Sequence, residues 1–341
     1  MKHARNQKLY ILLSILFVMV IVVSGCGGGT QNTSSNTANQ AQAAEPTAES
    51  TAKPAATSTP EPAETGTRII KTAMGDLEVP VNPQRVVVNW YIGDVFTLGI
   101  KPVALNAWSQ ETMPFFDQFA GIPKIENWEA EDILTYDPDL IITYDPQDFE
   151  KLSKIAPVLV IPEGDVNTTE RLAILGEATG HEAEAQAAIA TFEQKLAEAK
   201  EQLGADIFKD KTFSIFEDWG RDSYGIYYET GSRGGTLLYE YLGLKKPEKM
   251  EQLVTSSGEG RGSLSYEVAS EYFGDYVLWF LQEDKESEYA KTEIWNSIPA
   301  VQAGHIVEIP GEYSGLFYYS DVASMTAQLD YIIGRLLEQV K

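Results

Sequence analysis

The chain has one cysteine and three histidines among its 341 residues. A single thiol cannot form an internal disulfide framework, and it cannot build a Cys-cluster metal site. His3, His181 and His305 are too scattered to cluster, which argues against a zinc or manganese receptor and against a His-based metalloenzyme. Basic charge is also scarce. The 26 Lys and Arg stand against 50 Asp and Glu, a net −24, and phosphate backbones need the opposite sign, so nucleic acid is not an expected partner. There is no G-x-S-x-G elbow, no G-x-x-x-x-G-K-[ST] loop and no G-x-G-x-x-G after a strand. "GEGRGS" (258–263) is glycine-rich, follows no strand-like run and reads as a surface loop. The N-terminal apolar run, Leu9–Val23, is 15 residues long, short of the roughly 20 that a spanning helix takes.

That run has the proportions of a signal h-region behind the positive Lys2, Arg5 and Lys8. Val23-Ser24-Gly25-Cys26 then resembles a bacterial lipobox. Residues 1–25 are read as a lipoprotein signal peptide and Cys26 as the lipidated new N-terminus, since two or more acyl chains give stable anchoring. From 27 to 66 there is no aromatic residue, only Gly, Ser, Thr, Asn, Gln, Ala, Pro and a few charges. Such a segment buries too little to offset its entropy, so 26–66 is expected to be a tether spanning on the order of 35 Å. The expected location is the outer face of a bacterial, Gram-positive plasma membrane.

From 67 onward the texture is α/β. "TRIIKTAMGDLEVPV" reads as a hairpin turning at Gly75-Asp76, followed by "RVVVN" (85–89), "KPVALN" (101–106), "DLIITY" (139–144) and "VLVIP" (158–162) with helical pieces between them. Short buried strands separated by helices predict a parallel sheet covered on both faces. Residues 182–203 hold strong helix formers without Pro or Gly, with Ala185, Ile189, Phe192, Leu196, Ala199 and Leu203 on one stripe. The α/β texture restarts with "KTFSIFEDW" (211–219), "SYGIYYE" (223–229), "DYVLWFL" (275–281) and "HIVEIP" (305–310), and an amphipathic helix closes the chain. The expected domains are an N-terminal lobe 67–180, an interlobe helix 181–204 and a C-terminal lobe 205–341.

Ligands of open α/β sheets bind beyond the carboxyl ends of the strands, and aromatic residues crowd those ends. Trp90 follows the first strand, Trp108 the second, Tyr144 the third, and Trp219, Trp279, Tyr313 and Tyr318 do so in the second unit. Arg221, Arg233 and Arg261 fall in loops of that unit, where guanidinium groups can donate to ligand oxygens. Any one aromatic is explained by core packing; several at one end favour a cleft. Acids are plentiful enough that a carboxylate-pair hydrolase stays open beside a binding protein.

"PQRVVV", "EDILTYDPDLIIT", "TGHEAEAQAAIATFEQKLAEAK", "RGGTLLYEYLGLKKP" and "SYEVASEYFGDYVLW", in that order behind a lipobox, resemble the substrate-binding lipoproteins of ABC importers for iron–siderophore complexes. The resemblance implies two Rossmann-like lobes joined by one long helix, the class III periplasmic-binding-protein architecture. It implies a monomeric, non-enzymatic receptor with no cofactor of its own, because the iron stays coordinated by the siderophore. It also implies that Glu131 and Glu267, one per lobe, pair with arginines of the permease, with Asp132 a rival for Glu131. "TGSRGGTLLYEYLG" is similar to hydroxamate-binding members and places Arg233 toward the iron-bound oxygens, although Gly231 stands where those relatives often carry tryptophan. A ferric tris-catecholate of charge about −3 would need a basic cleft, so a ferric hydroxamate is expected, with ferric citrate or catecholate, cobalamin and haem as alternatives.

Overall fold

The computed structural model describes residues 66–204, 208–219 and 225–340. The signal segment, Cys26, the tether and Arg221 lie outside the described residues. Those described belong to one compact unit, Glu61–Lys341.

The unit opens with a hairpin of β1 (Thr67–Thr72) and β2 (Gly75–Pro80). Thr72 pairs with Gly75, so the turn is Ala73–Met74 and not Gly75-Asp76. The Thr72 hydroxyl sets this register: it accepts from the Met74 N–H at 3.1 Å and donates to the Gly75 carbonyl at 2.8 Å. Gly75 then supplies the left-handed step, φ +105°, that lets the chain re-enter the strand.

Next come β3 (Val86–Asn89), α1 (Ile92–Thr97), β4 (Ala104–Asn106), α2 (Ala130–Leu134), β5 (Leu140–Thr143), α3 (Gln147–Leu152) and β6 (Val158–Val160). Their strands form the expected parallel sheet in the order β4-β3-β5-β6. Both faces are buried, and the alternation of strand side chains divides them. Val86, Val88 and Ile142 face the main core, whereas Val87, Ile141 and Val158 face a second cluster with Ile133 and Leu152.

Helix α4 (Thr168–Thr179) starts in a capping box between Asn167 and Glu170 and ends at Gly180, φ +77°. A Cβ on Gly180 would lie 2.6 Å from the Val81 carbonyl oxygen, so this joint requires glycine on two counts. Helix α5 (Glu182–Gly204) follows as one rod. Ala185, Phe192, Ala199 and Leu203 are buried along it, with Ile189 and Leu196 half-buried beside them, the stripe expected from the spacing.

The second sheet contains β7 (Phe213–Asp218), β8 (Ile226–Glu229), β9 (Arg261–Leu264), β10 (Tyr276–Leu281) and β11 (Ile306–Ile309), in the order β11-β10-β7-β8-β9. β7, β10 and β11 are parallel, but β8 pairs antiparallel with β7 and β9 antiparallel with β8. The sheet is therefore mixed, and part of "GEGRGS" is an edge strand rather than a surface loop. Around it lie α6 (Glu248–Ser257), α7 (Tyr266–Ala269), α8 (Glu293–Ser297), α9 (Pro299–Gln302) and the closing α10 (Val322–Glu338). Residues of α1, α4, α5 and α10 share one core with the inner faces of both sheets, from Val88 and Ile142 to Ile215 and Leu278. Phe192 sits within it, fully buried and edge-on to Tyr241 at 5.1 Å. Replacing Phe192 with alanine should lower stability by about 3–5 kcal/mol. Because the core is common, circular dichroism and tryptophan fluorescence should report one coincident, shifted urea transition; separate transitions for the two sheets would refute a shared core.

Candidate functional site

At the end of β3 the chain reverses at Trp90, whose φ of +71° is unusual for a bulky side chain. The conformation is held on two sides. The Trp90 N–H donates to the Asn106 carbonyl at 3.1 Å, and its indole Nε1–H donates to Glu163 at 2.7 Å. This places the Trp90 ring within 6.1 Å of Tyr144, 5.8 Å of Tyr318 and 5.2 Å of Tyr319, centroid to centroid. Trp108, 41% exposed, lies against Tyr318 at 4.4 Å. The Tyr319 hydroxyl donates to the Trp108 carbonyl at 3.0 Å. The segment before α10 is pinned from below by Gln328, whose buried amide donates to the carbonyls of Leu316 and Tyr319. Four of the expected residues, Trp90, Trp108, Tyr144 and Tyr318, thus form one aromatic wall contributed by both lobes.

Two arginines adjoin the wall. Arg233, itself at φ +52°, holds Glu217 at 3.0 Å through Nη2 and places its guanidinium 5.6 Å from the Tyr318 ring. Arg261 reaches Glu229 at 2.5 Å and Glu217 at 3.3 Å, and lies over Tyr227 and Trp219. Gln282 completes the set with a 2.7 Å donation to Glu217. Both carboxylates are 1% exposed, a burial that only paired charges tolerate. Burial pushes Glu229 upward despite donations from Ser232 and Arg261. The cluster is balanced, two carboxylates against two guanidiniums. Trp219, 42% exposed, covers its outer side through Tyr227 at 5.3 Å.

Two expected residues are elsewhere. Trp279 is 1% exposed and belongs to the core, not a cleft. Leu278 and Phe280 of β10 face the main core, so alternation turns Trp279 to the opposite face, against Trp295 at 4.6 Å and Phe216. Tyr313 packs on Tyr331 of α10 at 5.1 Å, outside the wall. His305 stacks on Tyr276 at 4.2 Å, and His181 lies near Thr179 at the α4–α5 joint, so neither joins the site. Among the described residues no group of His, Cys, Asp or Glu could hold a metal ion. Glu131 and Glu267 are exposed in the first turns of α2 and α7, each near an exposed apolar side chain, Leu134 and Val268. A hydrogen bond from Ser265 lowers the Glu267 carboxyl. Asp132 is exposed beside Glu131.

Reading the sequence for strand-end aromatics misses Glu217 and Glu229. Their signal is an acid inside an apolar strand, "SIFED" and "IYYE", with arginine in the loops that follow. It also misses a cavity of about 350 Å³ beside the wall, lined by Trp90, Tyr318, Glu163, Glu240, Asp94 and Asp321 among others. At its base Arg171 pairs with Asp94 at 2.8 Å, donates to the Ser320 carbonyl and lies 4.7 Å from the Tyr91 ring. Asp321 caps α10 through Ser324.

The periplasmic binding protein family model matches residues 97–313, more than half of the chain. The chain belongs to that family. This periplasmic binding protein is 27% identical to the iron(3+)-hydroxamate-binding protein YxeB of Bacillus subtilis (strain 168), over 98% of each chain. It is 30% identical to the iron(3+)-hydroxamate-binding protein FhuD of the same organism, over 77% of this chain and 84% of the relative. Among solved structures, the FhuD protein from S. pseudintermedius superposes with a TM-score of 0.68 at 26% identity, covering 80% of this chain and 99% of that one. The two-lobed class III fold is therefore that of a substrate-binding protein.

Asp94 of this binding protein is fully buried, and burial pushes its carboxyl up to about 6 against the pull of Arg171. An unfolded aspartate loses its proton near 3.8, so between the two values the folded state holds more protons. Stability from this group is present below pH 4 and is lost as pH rises to about 6, on the order of 2–3 kcal/mol. Asp94→Asn cannot titrate. Its stability relative to wild type, from urea melts at pH 4 to 6.5, should rise across that window; parallel curves would refute the buried, raised carboxyl.

Proposed function

We propose that this protein is an extracytoplasmic receptor, tethered through a lipidated Cys26, that binds a ferric hydroxamate siderophore and delivers it to an ABC importer. The carrying observation is the aromatic wall set beside a charge-balanced Arg–Glu cluster. A ferric trihydroxamate is a bulky, near-neutral chelate with an apolar periphery and oxygen atoms around the metal. The faces of Trp90, Trp108 and Tyr318 supply apolar contact. Arg233 and Arg261, already oriented by Glu217 and Glu229, have guanidinium N–H groups to offer to chelate oxygens. A tris-catecholate of about −3 would find these cations already neutralised by Glu217 and Glu229. Iron is cargo here and keeps its six oxygens from the siderophore, so the protein need not ligate it. The relatives named for iron(3+)-hydroxamate binding support the same ligand class.

Tryptophan fluorescence should be quenched saturably by a ferric trihydroxamate, and more weakly by ferric tricatecholate or ferric citrate. Arg233→Ala should weaken the hydroxamate about tenfold, while Glu217 keeps Arg261 and Gln282. Tight tricatecholate binding would overturn the charge argument, and no saturable response to any complex would overturn the reading itself.

Delivery is assigned to Glu131 and Glu267, exposed carboxylates placed one per lobe to meet permease arginines. In whole cells, Glu131→Ala with Glu267→Ala should bring iron–siderophore uptake to background with ligand affinity intact, and Cys26→Ala should shed the receptor into the medium. If affinity falls with uptake, the two glutamates belong to ligand binding or to the fold.

A further inference from the structure

The two halves of the site differ in charge. Around Arg233 and Arg261 carboxylates and guanidiniums balance. The adjoining cavity of about 350 Å³ instead collects Asp94, Glu163, Glu240 and Asp321 against one cation, Arg171. That cation is committed, to Asp94, to the Ser320 carbonyl and to the Tyr91 face. Even so, Asp94 keeps one oxygen in need. Its Oδ2 takes the Arg171 bond, while Oδ1, on a side chain 1% exposed, has no hydrogen-bond partner among the described residues. A buried acceptor left unpaired costs free energy that a donor entering the cavity recovers. The other walls suit a cation. Trp90 and Tyr318 are aromatic residues that line it, and Glu163 is fixed by the Trp90 indole. The cavity opens beside the Trp90–Tyr318 contact, the same contact that meets the chelate in the proposed receptor.

We infer that this cavity is a subsite for a protonated alkylamine carried on the siderophore, so that the receptor prefers hydroxamate chelates bearing a cationic arm. The inference rests on the receptor reading above. Its size accepts a short alkyl chain ending in an ammonium group but not a second chelate. The aromatic wall holds the iron-bearing body, while the acidic cavity adds affinity only for ligands with a charge to place there. Selection among otherwise similar ferric hydroxamates then comes from a group distant from the metal.

The test uses two ferric complexes of one linear trihydroxamate, the first with a free terminal amine and the second with that amine acetylated. Both are titrated by tryptophan quenching into the full-length protein in detergent. The free amine should bind about tenfold tighter, and the ratio should shrink as salt is raised from 20 to 500 mM. Glu163→Gln retains an acceptor for the Trp90 indole but loses the charge, and with Glu240→Gln it should bring the ratio close to one. Thermal melts of each variant check folding, and Glu240→Gln alone, at an exposed position, should still lower the ratio. Equal affinity of wild type for the two complexes, or a ratio unchanged in the double variant, overturns the subsite while leaving the receptor reading in place. Binding of neither complex overturns the receptor reading and the subsite with it.

Discussion

The shared core under the two sheets is the constraint on which the site depends. Val88 and Ile142 on one side and Ile215 and Leu278 on the other bury into the same set of helical side chains, those of α1, α4, α5 and α10. Apolar burial of this extent is the main favourable contribution to folding, and a large opening would give part of it up. The lobes are thus held near one relative position. A wall assembled from Trp90, Trp108 and Tyr144 of one lobe and Tyr318 and Tyr319 of the other is possible only because that position is fixed. Gln328, reaching from α10 to the carbonyls of Leu316 and Tyr319, ties the wall directly to the core helix.

Much of this could be read from the sequence, and the limits have physical causes. The three-and-four spacing from Ala185 to Leu203 describes a single helix, because a long amphipathic rod has no competing structure. Short apolar runs likewise marked every strand of the two sheets except β9. What a run such as "DYVLWFL" does not contain is the direction of each face. Trp279 and its neighbours Leu278 and Phe280 alternate, and only the packing of helices decides which parity meets a cleft. Sheet order is similarly non-local. Nothing in "GEGRGS" shows that Arg261 pairs across an antiparallel edge with Glu229, which turned an apparent loop into part of the site. Gly75 marked the hairpin, but the Thr72 hydroxyl moved the turn two residues earlier. For Cys26 and the tether, the lipobox-like pattern and the composition remain the whole argument, and for Arg221 its place in a loop of the second unit does.

Two of the five described non-glycine residues with positive φ, Trp90 and Arg233, lie in the candidate site. Trp90 and Arg233 both take left-handed backbone conformations, each costing about 1–3 kcal/mol. The compensations are visible: Glu163 and the Asn106 carbonyl hold Trp90, and Glu217 with Gln282 fixes the guanidinium of Arg233. These bonds lie within the protein itself. The immobilisation cost of the contacting side chains is therefore met during folding and not at binding.

A preorganised site on lobes that share one core has a consequence for selectivity. Discrimination must come from what the fixed groups offer at each point: apolar faces at the wall, paired arginines toward the chelate oxygens, and uncompensated carboxylates at the edge. The first two are satisfied by any near-neutral ferric hydroxamate of suitable size. The third is not, because a buried acceptor such as Asp94 Oδ1 is recovered only by a donor, and an excess of negative charge only by a cation. In the receptor proposed above, affinity for the class would reside in the wall and the arginine cluster, and choice within the class would fall to the acidic cavity beside them.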